Sequence, residues 1–299
     1  MKRLAELIMQ GLPQAVAVAA GFAILSLLLP PVGILSSAVI GLVALKVGLR
    51  QAVYVTLITS AMLGVIVIGM GQQGLLGVLS GLIQWLPVAL LGALLARTAS
   101  WTLVMQSVFA VGVVTVVLLY LLFPDLDQFW LKTMKQLLQP ALEDAGGNAQ
   151  SVQASLVAVA PLVTGVLISA LLVTSLLGLM LARSMQAALE NPGGFAREFQ
   201  ALRIGGWAAG LSVLFLALAS VVSQPWTNAL ATVSMAVFLI QGFAVVHGVV
   251  ARLGWPKGTI IGLYVLLMVF LTPVVLVIAG LGIVDAFADF RRRLGGPAQ

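Results

Sequence analysis

Charged side chains are scarce in this chain. Asp, Glu, Lys and Arg make up 8% of its 299 residues, whereas hydrophobic residues make up 61%. No charged residue occurs between Arg50 and Arg97. A water-soluble domain normally has about a quarter of its residues charged, so this composition excludes a soluble fold. Because about 20 apolar residues in a helix cross the hydrocarbon core of a bilayer, the sequence predicts an integral membrane protein built of helices.

Cysteine is absent, and His247 is the single histidine. Disulfides and thiolate metal sites are therefore excluded, and a His-rich metal site or a Ser-His-Asp triad lacks residues. No Walker A sequence occurs, which excludes ATP hydrolysis through a P-loop. Gly280-Leu281-Gly282 resembles the start of the Gly-x-Gly-Asp motif of intramembrane aspartyl proteases, but two residues intervene before Asp285. No second membrane-buried carboxylate is available, so we predict no enzyme activity, no metal and no cofactor.

Glycine, proline and charged residues divide the apolar sequence into predicted spans. Eight of them are expected at about 11–29, 32–47, 52–69, 74–96, 101–123, 152–182, 206–222 and 227–250. The last apolar run, 258–288, is too long for one ordinary span and contains Thr272-Pro273, where proline breaks or kinks a helix. It is either a hairpin or a kinked span followed by an interfacial helix. The predicted fold class is all-α: a polytopic transmembrane helix bundle of about 9 spans (8–10) in a single domain, 1–299.

The segment between residues 124 and 149 differs from the spans. Apolar residues such as Phe129, Trp130 and Met134 recur at helical spacing and alternate with Lys132 and other polar residues. This pattern predicts an amphipathic helix around 126–142 that lies in the membrane interface. This helix is either a connector or a lid over an outward cavity. The whole segment 124–149, with a loop at Gly146-Gly147-Asn148, would join two possible halves of the chain, 1–123 and 150–299.

Charge placement predicts a cytoplasmic N-terminus. The net charge of +6 comes from Lys and Arg concentrated in the connections that this orientation places inside, as expected for cytoplasmic loops rather than for nucleic-acid binding. The segment after residue 124 would lie outside, and a hairpin at 258–288 would place Arg291, Arg292 and Arg293 inside. Lys2-Arg3 followed by an apolar run resembles a signal peptide, but we interpret it as a retained first helix.

Two predicted spans contain a glutamine on a face of small residues. Gln84 shares a face with Gly77 and Gly81, and Ser80 lies beside them. In the eighth span, Gln241 shares a face with Ser234, and His247 is near the inner end. A carboxamide at mid-span needs a partner, so each glutamine either holds two helices together or contacts a ligand. His247 is either structural or proton-coupling. Gln84, Gln241, Ser80, Ser234 and His247 are the candidate ligand-binding residues.

The C-terminal end combines acids with arginines. Asp285 and Asp289 precede Arg291, Arg292 and Arg293. In a continuous helix Asp289 would pair with Arg292 or Arg293, and Asp285 would reach Arg291 or Arg292 only if the helix bends or a neighbouring helix helps. These residues are either an anchor at the end of a span or, with Asp285, Asp289 and Arg291, a cytoplasmic gate or docking site.

Several short motifs together resemble one family. They are Leu29-Pro30-Pro31, Lys46-Val47-Gly48-Leu49-Arg50, Phe195-x-x-Glu198-Phe199-x-x-Leu202-Arg203, the run Gln241 to Val246, and Gly282-Ile283-Val284-Asp285-x-Phe287-x-Asp289-Phe290-Arg291. This pattern resembles the YybS-like family of bacterial integral membrane proteins, which is distantly similar to the substrate-binding S components of energy-coupling-factor transporters. The resemblance implies a bacterial cytoplasmic (inner) membrane and a small-molecule site, and it transfers no ligand residue.

Two functions follow as expectations. The first is a transporter-like protein that binds a small or lipidic molecule within the helix bundle and lacks its own ATPase. The alternative is a scaffold or assembly factor that binds another membrane protein. A transporter should have a polar-lined cavity around Gln84 and Gln241, whereas a scaffold should have an exposed groove of small residues. The lipid bilayer is the expected partner in both, with no nucleic acid.

Reporter fusions test the predicted orientation. Fusions placed after Arg97 and after Asp144 should report opposite sides of the membrane, because the basic excess lies in the connections predicted to be inside. The same side for both would reject this topology.

Overall fold

The computed structural model describes residues 1–139, 149–256 and 258–294, and these residues contain helices and no strand. The helices, numbered α1 to α14 in chain order, are Lys2–Ile8, Leu12–Leu28, Gly33–Lys46, Leu49–Gly69, Gly74–Thr98, Trp101–Leu122, Leu126–Leu137, Ala149–Glu190, Gly194–Gln200, Gly206–Val222, Pro225–Arg252, Gly258–Val269, Leu271–Ala288 and Phe290–Arg293. A short 3₁₀ turn, Pro30–Val32, separates α2 from α3. The all-α membrane bundle predicted from composition is confirmed.

The apolar helices follow the predicted spans closely. Within the described residues, 6 helices are long and apolar enough to cross a membrane, and shorter apolar helices occur at α2, α3, α10 and α12. The largest difference is α8, a 42-residue helix that continues past its predicted end at 182 to Glu190. At 1.5 Å per residue it is about 63 Å long, roughly twice the hydrocarbon core. Many large apolar side chains on these helices are exposed, including Leu28, Val221 and Met268, as lipid-facing residues should be.

The last apolar run breaks at Phe270, whose backbone is not helical (φ −123°, ψ 57°). Trp255, just before α12, and Thr259, in its first turn, line the same groove as Phe290 and Leu294, which follow α13. The chain therefore reverses between α12 and α13. The break precedes the predicted position by two residues, and Pro273 lies in the first turn of α13, where its missing N–H leaves no bond unmade.

The amphipathic segment is a helix, as predicted. α7 covers Leu126–Leu137, and the predicted extension to 142 and the loop at 146–148 lie outside the described residues. Phe129 and Leu137 are exposed. The indole N–H of Trp130 donates to the Thr164 hydroxyl of α8 over 2.9 Å, which attaches one face of α7 to a membrane helix.

The described chain divides into two compact units. Unit 1 contains 1–104 and 173–202, and unit 2 contains 105–172 and 203–299. Helices α6 and α8 each contribute residues to both units, so two of the three boundaries fall inside apolar helices, and the third, after Leu202, falls in a connection. The predicted halves 1–123 and 150–299 stay a prediction.

Unit 1 depends on close approach of α4 and α5. A side chain on Gly77 would come within 2.9 Å of the Gly64 Cα and the Leu63 carbonyl oxygen. In the same unit, Arg183 donates to the Glu198 carboxylate over 2.5 and 2.9 Å, and Trp101 donates to the same carboxylate over 3.0 Å. These bonds, chiefly the one from Arg183, hold the pKa of Glu198 below its usual value. Lys46 pairs with Glu190 in the same unit, across 144 positions of sequence.

Unit 2 depends on a similar approach of α11 and α13. A side chain on Gly242 would lie 1.9 Å from the Ile278 carbonyl oxygen, and one on Gly282 would lie 2.3 Å from the Phe238 carbonyl oxygen. Small residues of this kind let membrane helices pack backbone to backbone.

Gly242→Ala tests this contact. The added methyl group cannot be accommodated without separating α11 from α13, so we expect a loss of about 1–3 kcal/mol in the free energy of unfolding, measured by denaturant unfolding in detergent. Gly210→Ala, also inside a helix of unit 2, is the control, because no atom lies within 4 Å of the added methyl group. Equal stability of the two variants would contradict the packing argument.

Candidate functional site: a cavity in unit 1 and a buried ion pair in unit 2

Unit 1 contains a partly open cavity of about 560 Å³ between α2, α3, α5 and α8. Its lining residues are Ala23, Ser26, Leu27, Pro30, Pro31, Gly33, Ile34, Leu63, Ser80, Gly81, Gln84, Trp85 and Thr174. Small-molecule sites commonly have volumes of about 300–1,000 Å³ and a mostly apolar lining with a few polar groups. None of these described lining residues is charged, so the cavity suits an uncharged molecule.

Gln84 is the central polar group of this cavity. Its Nε2 donates to the Ser37 hydroxyl over 3.2 Å and to the Thr174 hydroxyl over 3.4 Å, which joins α5 to α3 and α8. The first alternative for Gln84, a bond between helices, is therefore real in this structure. The same side chain lines the cavity, and its contact with a ligand stays a prediction. Ser80 also lines it and donates to the Gly77 carbonyl oxygen over 2.9 Å.

Several buried polar atoms next to this cavity lack a hydrogen-bond partner among the described residues. They include the indole nitrogen of Trp85, which lines the cavity, and the Ser60 hydroxyl. Ser60 lies against the α5 face of Gly81, since a side chain on Gly81 would approach its Oγ to 2.6 Å. An unpaired polar group in an apolar environment costs roughly 1–3 kcal/mol. Trp85, Ser60 and Thr174 were missed by sequence reasoning, because an isolated Ser, Thr or Trp in an apolar run is not distinctive.

Gln241 of unit 2 has a different environment. It is fully buried, and its Oε1 accepts the Ile204 backbone N–H over 2.8 Å. Its Nε2 donates to the Gly282 carbonyl oxygen over 2.9 Å and to the Asp285 carboxylate at 3.4 Å. Gln241 therefore joins α11 to α13 and to the segment before α10. It lies in unit 2, whereas Gln84 lies in unit 1, and the idea that both line one cavity stays a prediction.

Asp285 and Arg291 form a buried ion pair of 2.8 Å, with side-chain exposures of 0% and 3%. The second carboxylate oxygen of Asp285 accepts the Phe290 backbone N–H over 3.1 Å. This pairing requires a bend, and the bend is at Asp289, which ends α13 in the left-handed conformation with φ 49°. The bent alternative stated for Asp285 is thus the one that the fold adopts.

The expected pairing of Asp289 is wrong. Asp289 does not pair with Arg292 or Arg293, because the helix that would bring them together ends at Ala288. Its carboxylate instead accepts Arg203 over 2.5 Å, and Arg203 also approaches the Ala286 carbonyl oxygen. Arg203 was not among the predicted site residues, and its distance of 86 positions from Asp289 explains why spacing gave no signal.

The remaining candidates are held by their own helix. Ser234 is buried and donates to the Leu230 carbonyl oxygen over 2.8 Å. His247 places Nδ1 at 2.8 Å from the Phe243 carbonyl oxygen, and its ring packs edge-on against Tyr264. Neither residue lines the unit 1 cavity. His247 is thus bonded within its own helix and packed against Tyr264, and a proton-coupling role for it stays a prediction.

Comparison with known families places the chain. A family model described as "Predicted membrane protein (DUF2232)" matches residues 17–286. The chain belongs to this family. The matched range includes the unit 1 cavity and both glutamines, and ends just after Asp285. Searches of curated proteins and of solved structures found no match to this DUF2232 member.

The buried ion pair of this DUF2232 protein generates a prediction about stability. Asp285→Asn leaves Arg291 buried without its counter-charge, so it should destabilise the fold by about 3–5 kcal/mol in detergent unfolding experiments. The double variant Asp285→Leu/Arg291→Met removes both charges and should be less destabilised than the single variant.

Asp289→Asn is the matched control for this prediction. Its pair with Arg203 is partly exposed, with side-chain exposures of 23% and 35%, so its loss should cost less than about 1 kcal/mol. Equal effects of Asp285→Asn and Asp289→Asn would contradict the argument that the buried Asp285–Arg291 pair stabilises the fold more than the partly exposed Asp289–Arg203 pair.

Proposed function

We propose that this protein binds a small, uncharged, amphipathic molecule in the unit 1 cavity and is of transporter type. The observation that carries the proposal is the cavity itself, about 560 Å³ in volume and lined by Gln84, Ser80 and Thr174 on otherwise apolar walls. Its volume suits a metabolite or a single lipid-like group. Its hydroxyl and amide groups suit hydrogen bonding to a hydroxyl, carbonyl or amide of the ligand.

The position of the cavity supports access from the outer side. Its lining includes Pro30 and Pro31, which lie between α2 and α3 and, in the predicted orientation, at the outer surface. Gln84 lies ten residues into α5, about 15 Å along the helix, so the cavity reaches towards the middle of the membrane. A ligand would enter near the prolines and bind deeper, at Gln84.

The protein would act without its own motor and without enzyme chemistry. No Walker A sequence is present in the chain, and no group of three His, Cys, Asp or Glu residues that could hold a metal is found among the described residues. Energy for transport would then come from another subunit or from a gradient. The distant resemblance to S components of energy-coupling-factor transporters that the sequence motifs imply would favour the first arrangement, and we place the protein in a bacterial inner membrane with a cytoplasmic N-terminus.

A scaffold remains the second candidate, and a separate observation favours it. Helix α12 has no buried residue, and Gly258 and Gly262 on it have no atom within 4 Å of an added side chain. Their four-residue spacing is the small-xxx-small pattern by which membrane helices associate. A scaffold would use this face and would retain no ligand in the cavity.

Gln84→Leu is the test of ligand binding. Leucine is similar in size but removes both the donor and the acceptor, so native mass spectrometry should show loss of a co-purified molecule that the unchanged protein retains. Loss of one hydrogen-bonding group in a buried site costs about 1–3 kcal/mol, which corresponds to about 5- to 150-fold weaker binding. Ser80→Leu, which narrows the cavity from an exposed position, should have the same effect.

Gln106→Leu is the matched control. Gln106 is also a half-buried helical amide, and it donates to the Ile204 carbonyl oxygen in unit 2, but it does not line the cavity. It should change thermal stability and leave ligand retention unchanged. Equal loss of ligand in Gln84→Leu and Gln106→Leu, or no retained molecule in the unchanged protein, would reject the proposal in favour of a scaffold.

A further inference from the structure

Unit 2 has a concave surface of its own, which we call the α11–α14 groove. Its volume is about 440 Å³, and its described lining residues are Val245, Val246, Val249, Val250, Trp255, Thr259, Leu281, Phe290, Arg293 and Leu294. The walls are almost entirely apolar. Arg293 is the charged residue among these lining residues, and it comes from the short helix after the Asp289 bend. The groove thus combines a hydrocarbon-like wall with a basic edge.

A second arginine, Arg252, lies on α11 near the residues of that helix that line the groove. Arg252 follows Val245 and Val249 at helical spacings of seven and three, so the three residues share one face of α11. The Nη1 atom of Arg252 is buried and has no hydrogen-bond partner among the described residues, and the same is true of Arg203 Nε. A buried guanidinium nitrogen without a partner is costly, which makes both atoms candidates for a ligand that brings acceptor oxygens.

The charges around the groove do not balance. Arg203 pairs with Asp289, and Arg291 pairs with Asp285. The pKa of Arg291 is lowered, chiefly by burial. The Asp285 carboxylate opposes this change, and the positive charges of Arg203 and Arg252 add to it. Neither pair includes Arg252, so Arg252 adds one positive charge to this end of unit 2 and Arg293 adds another.

We propose that an anionic phospholipid binds here, with an acyl chain in the α11–α14 groove and its phosphate diester at Arg252 and Arg293. Arginine suits this role, because its planar fork of N–H donors matches the oxygens of a phosphate. Basic pockets beside membrane helices are recognised sites for such headgroups. The lipid site lies in unit 2 and is independent of the ligand proposed for unit 1.

Native mass spectrometry of the purified full chain tests the proposal. Titration with dioleoyl phosphatidylglycerol should give saturable binding of a first lipid, whereas dioleoyl phosphatidylcholine, which has the same chains but no net charge, should bind more weakly. Arg252→Gln and Arg293→Gln should each weaken the phosphatidylglycerol affinity about fivefold, and the double variant about 25-fold, since each basic residue contributes roughly that factor. Arg252→Lys keeps the charge but lacks the fork of donors, so its affinity should lie between that of the unchanged protein and that of Arg252→Gln.

Matched controls separate this site from general attraction and from misfolding. Arg97→Gln removes the same charge from an exposed position in unit 1 and should leave the affinity unchanged. Thermal unfolding in detergent should show that Arg293→Gln keeps the fold, since this residue is exposed. Equal affinity for the two lipids, or equal weakening by Arg97→Gln, would overturn the proposal. Displacement of phosphatidylglycerol by millimolar inorganic phosphate would assign the arginines to a free phosphate instead.

Discussion

In the hydrocarbon core of a bilayer, a polar group that the protein does not satisfy has no water to satisfy it. Each polar side chain on these helices must therefore find a partner across a helix interface, in its own helix, or in a ligand. Gln84, Gln241 and Asp285 use the first solution, and Ser234 and His247 use their own helix. The positions of these partners decide how the helices of each unit can pack.

Glycine makes the partners reachable. Gly242 and Gly282 let α11 and α13 meet backbone to backbone, which brings Gln241 within reach of Gly282 and Asp285. The same logic applies in unit 1, where Gly77 and Gly81 of α5 lie against α4. Close backbone packing and hydrogen bonding between helices are thus one structural device, because the short side chains of glutamine and aspartate cannot bridge a wide gap.

Where partners are missing among the described residues, we propose ligands. The unit 1 cavity has an indole nitrogen and hydroxyl groups beside it without described partners, and its lining carries no charge, which fits an uncharged molecule. The α11–α14 groove has arginines in excess of aspartates, which fits an anion with apolar chains. The lining of the cavity is uncharged and the edge of the groove is positively charged, so the two proposed ligands should not compete.

The sequence by itself determined the class of fold and most helix boundaries, because composition, proline and charge act locally along the chain. The bounds of α2 and α10, the helical character of α7 and the break in the last apolar run all follow from such local signals. Partners distant in sequence were decided by tertiary structure. Gln84 meets Thr174 across 90 positions, and Arg203 meets Asp289 because Asp289 adopts the left-handed conformation and ends α13. Periodicity places a residue on a helix face, but only the packing of that face against another helix determines which side chain it meets.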